Sequence, residues 1–252
     1  MKLNSEPPPS KARSVARRYG IGERGADSYK AELWENRRTV KSTVPEERVE
    51  GVLKDGSRIL FRPITPEDKE LLRVGVERLS PESRYRRFFS SIAHLSDDQL
   101  AYLTEIDYID HFAWIGILPD AAEEGVAVGR WVRDPDHPDS AEAAVTVVDE
   151  YQGQGIGSAL LALLAKSAIE RGIKRFTLEV LGENEPMLAL MEHVGAIIDR
   201  REGGVVFMHV PLPATIEELE KTPSPAILRA AAEGRIQGEV GRRGFRTRFR
   251  VR

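Results

Sequence analysis

A chain of 252 residues with a formal net charge of -3, 31% charged residues and no cysteine is long enough to bury a sizeable core, most simply as one domain of about 150 to 200 residues with tails. The lack of cysteine excludes disulfides, thiolate metal sites and a cysteine nucleophile, and the five histidines (His94, His111, His137, His193, His209) show no H-x-x-x-H pairing, so no metal is expected. No stretch approaches the eighteen or so apolar residues of a membrane span, and MKLNSEPPPSKARSVARRYG lacks the apolar centre of a signal peptide, which predicts a soluble, cytoplasmic protein with no membrane partner.

Residues 1–48 carry PPP, paired arginines and few large aliphatics, and read as a flexible arm. From Arg48 to Ile64 the pattern is a hairpin around Asp55-Gly56, with Ile59, Phe61 and Ile64 on its second strand. Thr65-Pro66-Glu67-Asp68 opens a helix, with Thr65 as N-cap and Pro66 at the first position. Ser80-Pro81-Glu82 repeats that opening before SRYRRFF, and Ser96-Asp97-Asp98 does so before QLAYL. The runs FAWIGIL (112–118), GVAVGRWV (125–132) and AEAAVTVV (141–148) are predicted strands.

The third of these runs into YQGQGIGSALLALLA, from Tyr151 to Ala165. A P-loop would need a lysine directly after its last glycine, yet none follows Gly157 until Lys166; a G-x-G-x-x-G fingerprint from Gly153 or Gly155 would place its third glycine on Ser158 or Leu160. What remains, Gln152 to Gly157, turns backbone N–H groups into one concavity at a helix start, and such a nest suits an anion, read here as a pyrophosphate. The helix dipole would add about 0.3 to 1 kcal/mol, up to about 2 when partly buried. The alternative is a glycine-rich turn that binds nothing. Ile156, Leu160, Leu161, Leu164, Ala168 and Ile169 then recur at helical spacing, an amphipathic helix stopped at Gly172.

RFTLEVL (175–181) and VVFMHVPL (205–212) are the remaining predicted strands, with a short helix between them after Asn184. Residues 214–252 are expected to form a helix and an arginine-rich tail. From Arg229 to Arg252 eight arginines face Glu233 and Glu239, a charge of +6, which leaves -9 on the rest of the chain. RRGFRTRFRVR could dock on nucleic acid or an acidic partner. Its alternation of arginine with Phe245, Phe249 and Val251 also fits an edge strand, and a tail or added strand is the favoured reading, with nucleic acid disfavoured as a partner.

This order of elements, with Gln152, Gly155 and Gly157 matching the motif [QR]-x-x-G-x-[GA], resembles the GNAT superfamily of N-acetyltransferases over about Arg58 to Leu212. RILFRPITPEDKELL together with LSPESRYRRFF further resembles the acetyltransferase domain of bacterial protein lysine acetyltransferases. The resemblance implies an α/β fold: a mixed, mostly antiparallel twisted sheet with splayed central strands, flanked by helices, spanning residues 49–213. It also implies acetyl-CoA as cosubstrate. Its pyrophosphate would lie on the backbone amides of Gly153, Gln154, Gly155, Ile156, Gly157 and Ser158, and its pantetheine arm along Val145, Thr146 and Val147. Those three can equally be plain core, since the implied contacts use backbone and leave the side chains to pack. Asn184 matches a position beside the cofactor and can equally be a helix N-cap.

Acetylating a lysine requires removing a proton from a group of ordinary pKa near 10.4, a cost of about 4 kcal/mol at about pH 7.4, which a placed carboxylate lowers. Glu142, sharing a strand face with Ala144 and Thr146, is the first candidate for that base, and Glu179 on RFTLEVL is its rival. Either can instead be structural. Met191 stands where many members carry a tyrosine that protonates the departing thiolate, and a thioether cannot donate a proton. The expected function is therefore transfer of acetyl from acetyl-CoA to an amine, foremost a protein lysine, by direct attack in a ternary complex. A small-molecule amine acetyltransferase and a non-catalytic acyl-CoA sensor with a basic interaction tail are the alternatives.

Overall fold

A computed structural model describes residues 43–216 except 54, 90–93 and 121–122, together with residue 218 and the segments 237–239 and 246–251. The chain opens with β1 (Val49–Val52) and β2 (Arg58–Pro63), joined at Gly56, whose φ of 91° admits no ordinary side chain without strain. A single 3-10 turn at Pro66–Asp68 leads into α1 (Lys69–Glu77). The helices α2 (Pro81–Phe88) and α3 (Asp97–Thr104) follow, each started by a serine whose hydroxyl accepts an N–H three residues on, Ser83 to Ser80 and Gln99 to Ser96. Proline at the first position of α2 and two aspartates in the first turn of α3 reinforce those starts.

Three long strands follow: β3 (His111–Leu118), β4 (Glu124–Arg133) and β5 (Ser140–Val147). A short 3-10 turn at Asp149–Tyr151 leads to α4 (Ile156–Ile169), then β6 (Arg175–Leu181), α5 (Glu185–His193), β7 (Ile197–Glu202) and β8 (Val205–Pro211). Two further strands, β9 (Gln237–Glu239) and β10 (Arg246–Val251), come from the C-terminal segment. The strands form one sheet in the order β7-β8-β6-β5-β4-β3-β2-β1-β10-β9. Every neighbouring pair is antiparallel except β5 and β6.

The main core lies between the sheet and α4. Gly129 of β4 makes that closeness feasible: a Cβ there would come within 3.1 Å of Leu164 and 3.2 Å of Leu160. Trp131, fully buried, stacks on Phe112 with centroids 6.1 Å apart and donates its indole N–H to the Ser167 hydroxyl at 3.0 Å. The apolar stripe predicts an amphipathic α4, but the structure buries ten of its 14 residues, including Ala159, Ala162, Ala165 and Ser167. Small side chains let the helix sink into the core on more than its aliphatic face. A second, smaller cluster of Leu72, Val76, Phe88, Leu95, Leu100 and Leu103 lies under α1, α2 and α3.

Thr65, expected as the N-cap, is itself held by Asp68, which accepts its backbone N–H at 2.7 Å and its hydroxyl at 3.2 Å. Asp68 also accepts both terminal nitrogens of Arg62, at 2.6 and 2.7 Å, and is only 2% exposed. Replacing it removes the acceptor for two cationic and two neutral donors in a place where water cannot substitute. Asp68→Ala is expected to cost about 3 kcal/mol, read as a lower urea midpoint at unchanged slope.

Two differences from the sequence reading stand out at the sheet edges. β7 is absent from the predicted elements because IIDRRE has no alternation to detect; all six residues are exposed and the strand exists by pairing with β8. At the other edge, the strand alternative for the arginine-rich end is the one observed: β10 pairs with β1 from Val49↔Val251 to Val52↔Arg248. Residues 1–42 of the expected arm, and nearly all of the expected C-terminal helix, lie outside the described residues.

Candidate active site

β5 is the strand on which the site is built. Along one edge it pairs with β4 from Ala141 to Val147; along the other it pairs with β6 only at Ser140↔Arg175, Ala141↔Phe176 and Glu142↔Thr177. Beyond Glu142 the two strands diverge, and β6 continues in register with β8 alone as far as Leu181. One edge of β5, carrying Val145, Thr146 and Val147, therefore faces a wedge-shaped gap with no strand partner among the described residues. From Glu142 to Val147 that edge is about 17 Å long at strand rise. Backbone N–H and C=O groups left open there need partners, and a ligand with amides can supply them.

The sheet faces follow from the register. Ala143 opposite Trp131 and Val145 opposite Gly129 point toward α4, with Val147 continuing that set. Glu142, Ala144 and Thr146 take the other face, which Glu142 shares with Thr177 and, two residues along, Glu179. The structure thus brings both candidate carboxylates to one face, Glu142 at the vertex of the fork and Glu179 past it on the diverging strand. Both are half-buried.

At the far end of the open edge the chain enters the glycine segment. Gly153 and Gly155 have φ of 69° and 89°, and Gly155 is the N-cap of α4, whose first turn contains no acidic side chain. The first amides of α4, from Ile156 to Ser158, are orphans of a helix start and sit against β5. A Cβ added at Gly157 would lie 3.9 Å from both Val145 Cγ1 and Val147 Cγ2. The nest therefore adjoins the open edge at Val145 and Val147.

Gln152 opens the motif, and its carboxamide donates to the Val147 carbonyl at 3.0 Å and weakly to the Ser83 hydroxyl at 3.4 Å. It braces the loop against β5. The neighbouring Asp149, which no sequence motif marks, joins α2 to this loop: it accepts the Ser80 N–H at 3.0 Å and the hydroxyls of Ser80 and Ser83 at 2.8 Å each. Arg78 adds an ion pair to Glu150 at 2.9 Å and lies over the Tyr151 ring. Partial burial pulls the Asp149 carboxyl upward, but the three donated hydrogen bonds outweigh it and hold the pKa below the ordinary 3.8.

The depressed value sets the sign of a pH effect. Stability from Asp149 is fully present above about pH 4 and lost as pH falls through the folded-state value. Asp149→Asn should therefore melt below the wild type at neutral pH, with the gap closing below pH 4; thermal scans across pH 2.5 to 7 check this.

Asn184 caps α5, its side-chain oxygen accepting the Met187 N–H at 3.3 Å, so one of its two expected roles is observed. Met191 is 1% exposed and part of the main core, so that position provides packing and no proton donor. Among the described residues no group of three or more His, Cys, Asp or Glu could hold a metal ion, and no helix is long and apolar enough to cross a membrane.

A central strand that splays from its parallel neighbour, beside a glycine-rich helix start, is the distinguishing feature of this α/β fold. Residues 82–196 match the acetyltransferase (GNAT) family, and the chain belongs to that family. It is 38% identical over 161 residues to Acetyltransferase Pat of Mycolicibacterium smegmatis, a match covering 64% of this chain and 48% of that protein, so it spans about half the length of that relative. Against the crystal structure of the GNAT domain of S. lividans PAT it is 36% identical with a TM-score of 0.60, covering 65% of this chain and 96% of that one. A phosphinothricin acetyltransferase from Sinorhizobium meliloti, crystallised in complex with AcCoA, is 16% identical with a TM-score of 0.51 over 60% of this chain and 87% of its own, and shares the fold.

Proposed function

We propose that the protein transfers acetyl from acetyl-CoA to an amine, with a protein lysine as acceptor, by direct attack in a ternary complex. The observation that carries this reading is the fork: a glutamate at its vertex, one open strand edge, and a glycine-lined helix start about 17 Å away. Acetyl-CoA fits on three counts. The open edge offers backbone partners to the amides of its pantetheine arm along Val145, Thr146 and Val147. The amides from Gly153 to Ser158 offer donors to its pyrophosphate. Gly157 lies where the nest meets the open edge, an added Cβ there coming 3.9 Å from both Val145 and Val147. The AcCoA held by the Sinorhizobium relative of the same fold supports the same ligand here.

The bound thioester supplies an activated carbonyl; the chain's own residues do the rest. Glu142 faces the side of the sheet opposite α4, where an amine can approach the vertex of the fork, and takes the ammonium proton that would otherwise block attack. Backbone N–H groups on the open edge orient the carbonyl and stabilise charge on its oxygen. With Met191 buried and no cysteine in the chain, no covalent sulfur intermediate is available, and a proton from the incoming amine leaves with the thiol. A lysine in a protein is favoured as acceptor by the resemblance of RILFRPITPEDKELL and LSPESRYRRFF to bacterial protein lysine acetyltransferases.

The deciding experiment incubates cell protein with isotopically labelled acetyl-CoA and the enzyme, and reads acetyl-lysine by mass spectrometry. Label on a defined set of lysines supports the reading. Label confined to free amines in a parallel panel moves the acceptor to a small molecule, and acetyl-CoA binding without any turnover sinks catalysis altogether.

A further inference from the structure

We infer that a cavity beside Thr146 receives the acyl chain of the donor, so that the protein takes propionyl and butyryl thioesters of coenzyme A as well as acetyl; the inference rests on the acetyl-transfer reading above. The cavity lies between α1, α2 and α3 on one side and β3, β4 and β5 on the other. It measures about 40 Å³, space for about three groups the size of a water or a methylene. Its wall is hydrocarbon: Leu72 and Val76 of α1, Phe88 of α2, Leu103 of α3 and Val128 of β4. The smaller of the two cores is therefore incompletely filled where it meets the sheet.

Thr146 joins this space to the site. Its backbone lies on the open edge of β5, and the same residue lines the cavity. Register fixes the face: Thr146 pairs with Val128 and Ala144 with Arg130, and all four share the face of the sheet that carries Glu142. Ala144 stands between Glu142 and Thr146 on that face with only a methyl group. A short chain extending from a thioester on the open edge can cross β5 there toward Val128, whose strand lies about 4.8 Å away.

The cavity is kept open by a residue that packing does not require to be small. Gly75 is inside α1, where glycine is less favourable than alanine, and its φ lies outside the left-handed region. A Cβ added there would meet only the Gly125 carbonyl oxygen, at 3.5 Å, an ordinary contact. Gly125 itself, also on the wall, is different. A Cβ there would come within 3.2 Å of Leu71 Cβ and 3.3 Å of the Leu71 carbonyl oxygen, so the close approach of α1 to β4 excludes a side chain. A tightly filled core would place a side chain at position 75; a cavity that takes a chain needs the position empty.

The wall also selects the kind of chain. Arg130, 3% exposed, donates from both terminal nitrogens to the Leu103 carbonyl at 3.2 Å and lies 2.9 Å from His111 Nε2. Arg87 lies over the Phe88 ring at 5.2 Å. With both guanidinium groups engaged, the free space suits a neutral aliphatic chain, which gains by leaving water. The transfer keeps its balance with the longer acyl group: the amine nitrogen bonds the carbonyl carbon and the C–S bond breaks. One nitrogen proton goes to Glu142 and another leaves with the thiol.

Calorimetry on the full chain with coenzyme A thioesters of increasing length tests this. Butyryl-CoA should bind about 10-fold more tightly than acetyl-CoA, because two further methylenes leave water. Gly75→Leu, which fills the cavity, should bring the two affinities together while leaving that for acetyl-CoA unchanged, and Gly75→Ala should fall between. Equal affinities along the series in the wild type, or a butyryl preference that survives in a folded Gly75→Leu, overturn the pocket; if Gly75→Leu does not fold, the wild-type series and Gly75→Ala decide. Tighter binding of succinyl-CoA than of butyryl-CoA overturns the neutral chain in favour of a carboxylate held by Arg87 or Arg130. Chain-length discrimination in binding without transfer of any acyl group counts against the acetyl-transfer reading alone, whereas acetyl transfer with no discrimination counts against the pocket alone.

Discussion

Glu142→Gln is expected to bind acetyl-CoA as the wild type does and to turn over about 10² to 10⁴ times more slowly at neutral pH. The substitution keeps size and hydrogen bonding while removing proton affinity, and position 142 is the last residue of β5 paired with β6, clear of the open edge proposed for the ligand's amides. Binding and chemistry should therefore separate, with calorimetry reading the first and kcat the second. Raising pH should recover part of the lost rate, because the acceptor is then neutral before it arrives. The mutant's rate should climb toward the amine's own pKa, near 10.4 for lysine, where the wild type levels off earlier. Glu179→Gln should show a smaller loss and a wild-type profile, since Glu179 lies past the vertex on the strand that has turned toward β8. Near-normal turnover of Glu142→Gln with collapse of Glu179→Gln reverses the assignment; if both stay active, the base lies elsewhere.

The parts of the fold legible in the sequence are those where a local pattern and the tertiary structure ask for the same residue. Ser80 and Ser96 are caps in both, and FAWIGIL and RFTLEVL are strands in both, because buried strands and helix starts carry their signal within a few residues. The glycine spacing marks the helix start for the same reason: the turn before α4 takes positive φ at Gly153 and Gly155, which glycine adopts without strain. What stayed hidden is long-range. Asp149 binds serines 69 and 66 residues away, and no spacing rule sees that. The divergence of β5 from β6 after Glu142 exists only through strand register. β7 escaped because an exposed edge strand needs no apolar alternation, and its one specific feature, the bulge at Asp199, is set by pairing with β8.

Gly157→Val should weaken acetyl-CoA binding about 100-fold while leaving the fold largely intact, with Gly157→Ala at least as stable as the wild type. The two effects have opposite signs because position 157 has two different neighbours. Toward the protein, an added Cβ meets only Val145 and Val147 at 3.9 Å, ordinary contact distance, and glycine at that position has no positive φ to preserve. Replacing glycine in a helix then gains a few tenths of a kcal/mol, more for Gly157→Ala than for the β-branched valine. For the ligand, the two Cγ atoms of valine add bulk beside the first amides of α4, where the pyrophosphate is proposed to lie. Losing two charge-assisted hydrogen bonds to the pyrophosphate costs about 3 kcal/mol, which is about 100-fold in affinity. Gly155→Val is the less informative neighbour, since its φ of 89° would strain the backbone and confuse folding with binding. Calorimetry and a thermal melt on Gly157→Val and Gly157→Ala separate the terms: a melting temperature held or raised with affinity falling from Gly to Ala to Val identifies the nest as the pyrophosphate site. Affinity unchanged in a folded Gly157→Val would place that anion elsewhere, and a pantetheine thioester without the pyrophosphate, already a poor substrate for the wild type on this account, should then be used as well as acetyl-CoA.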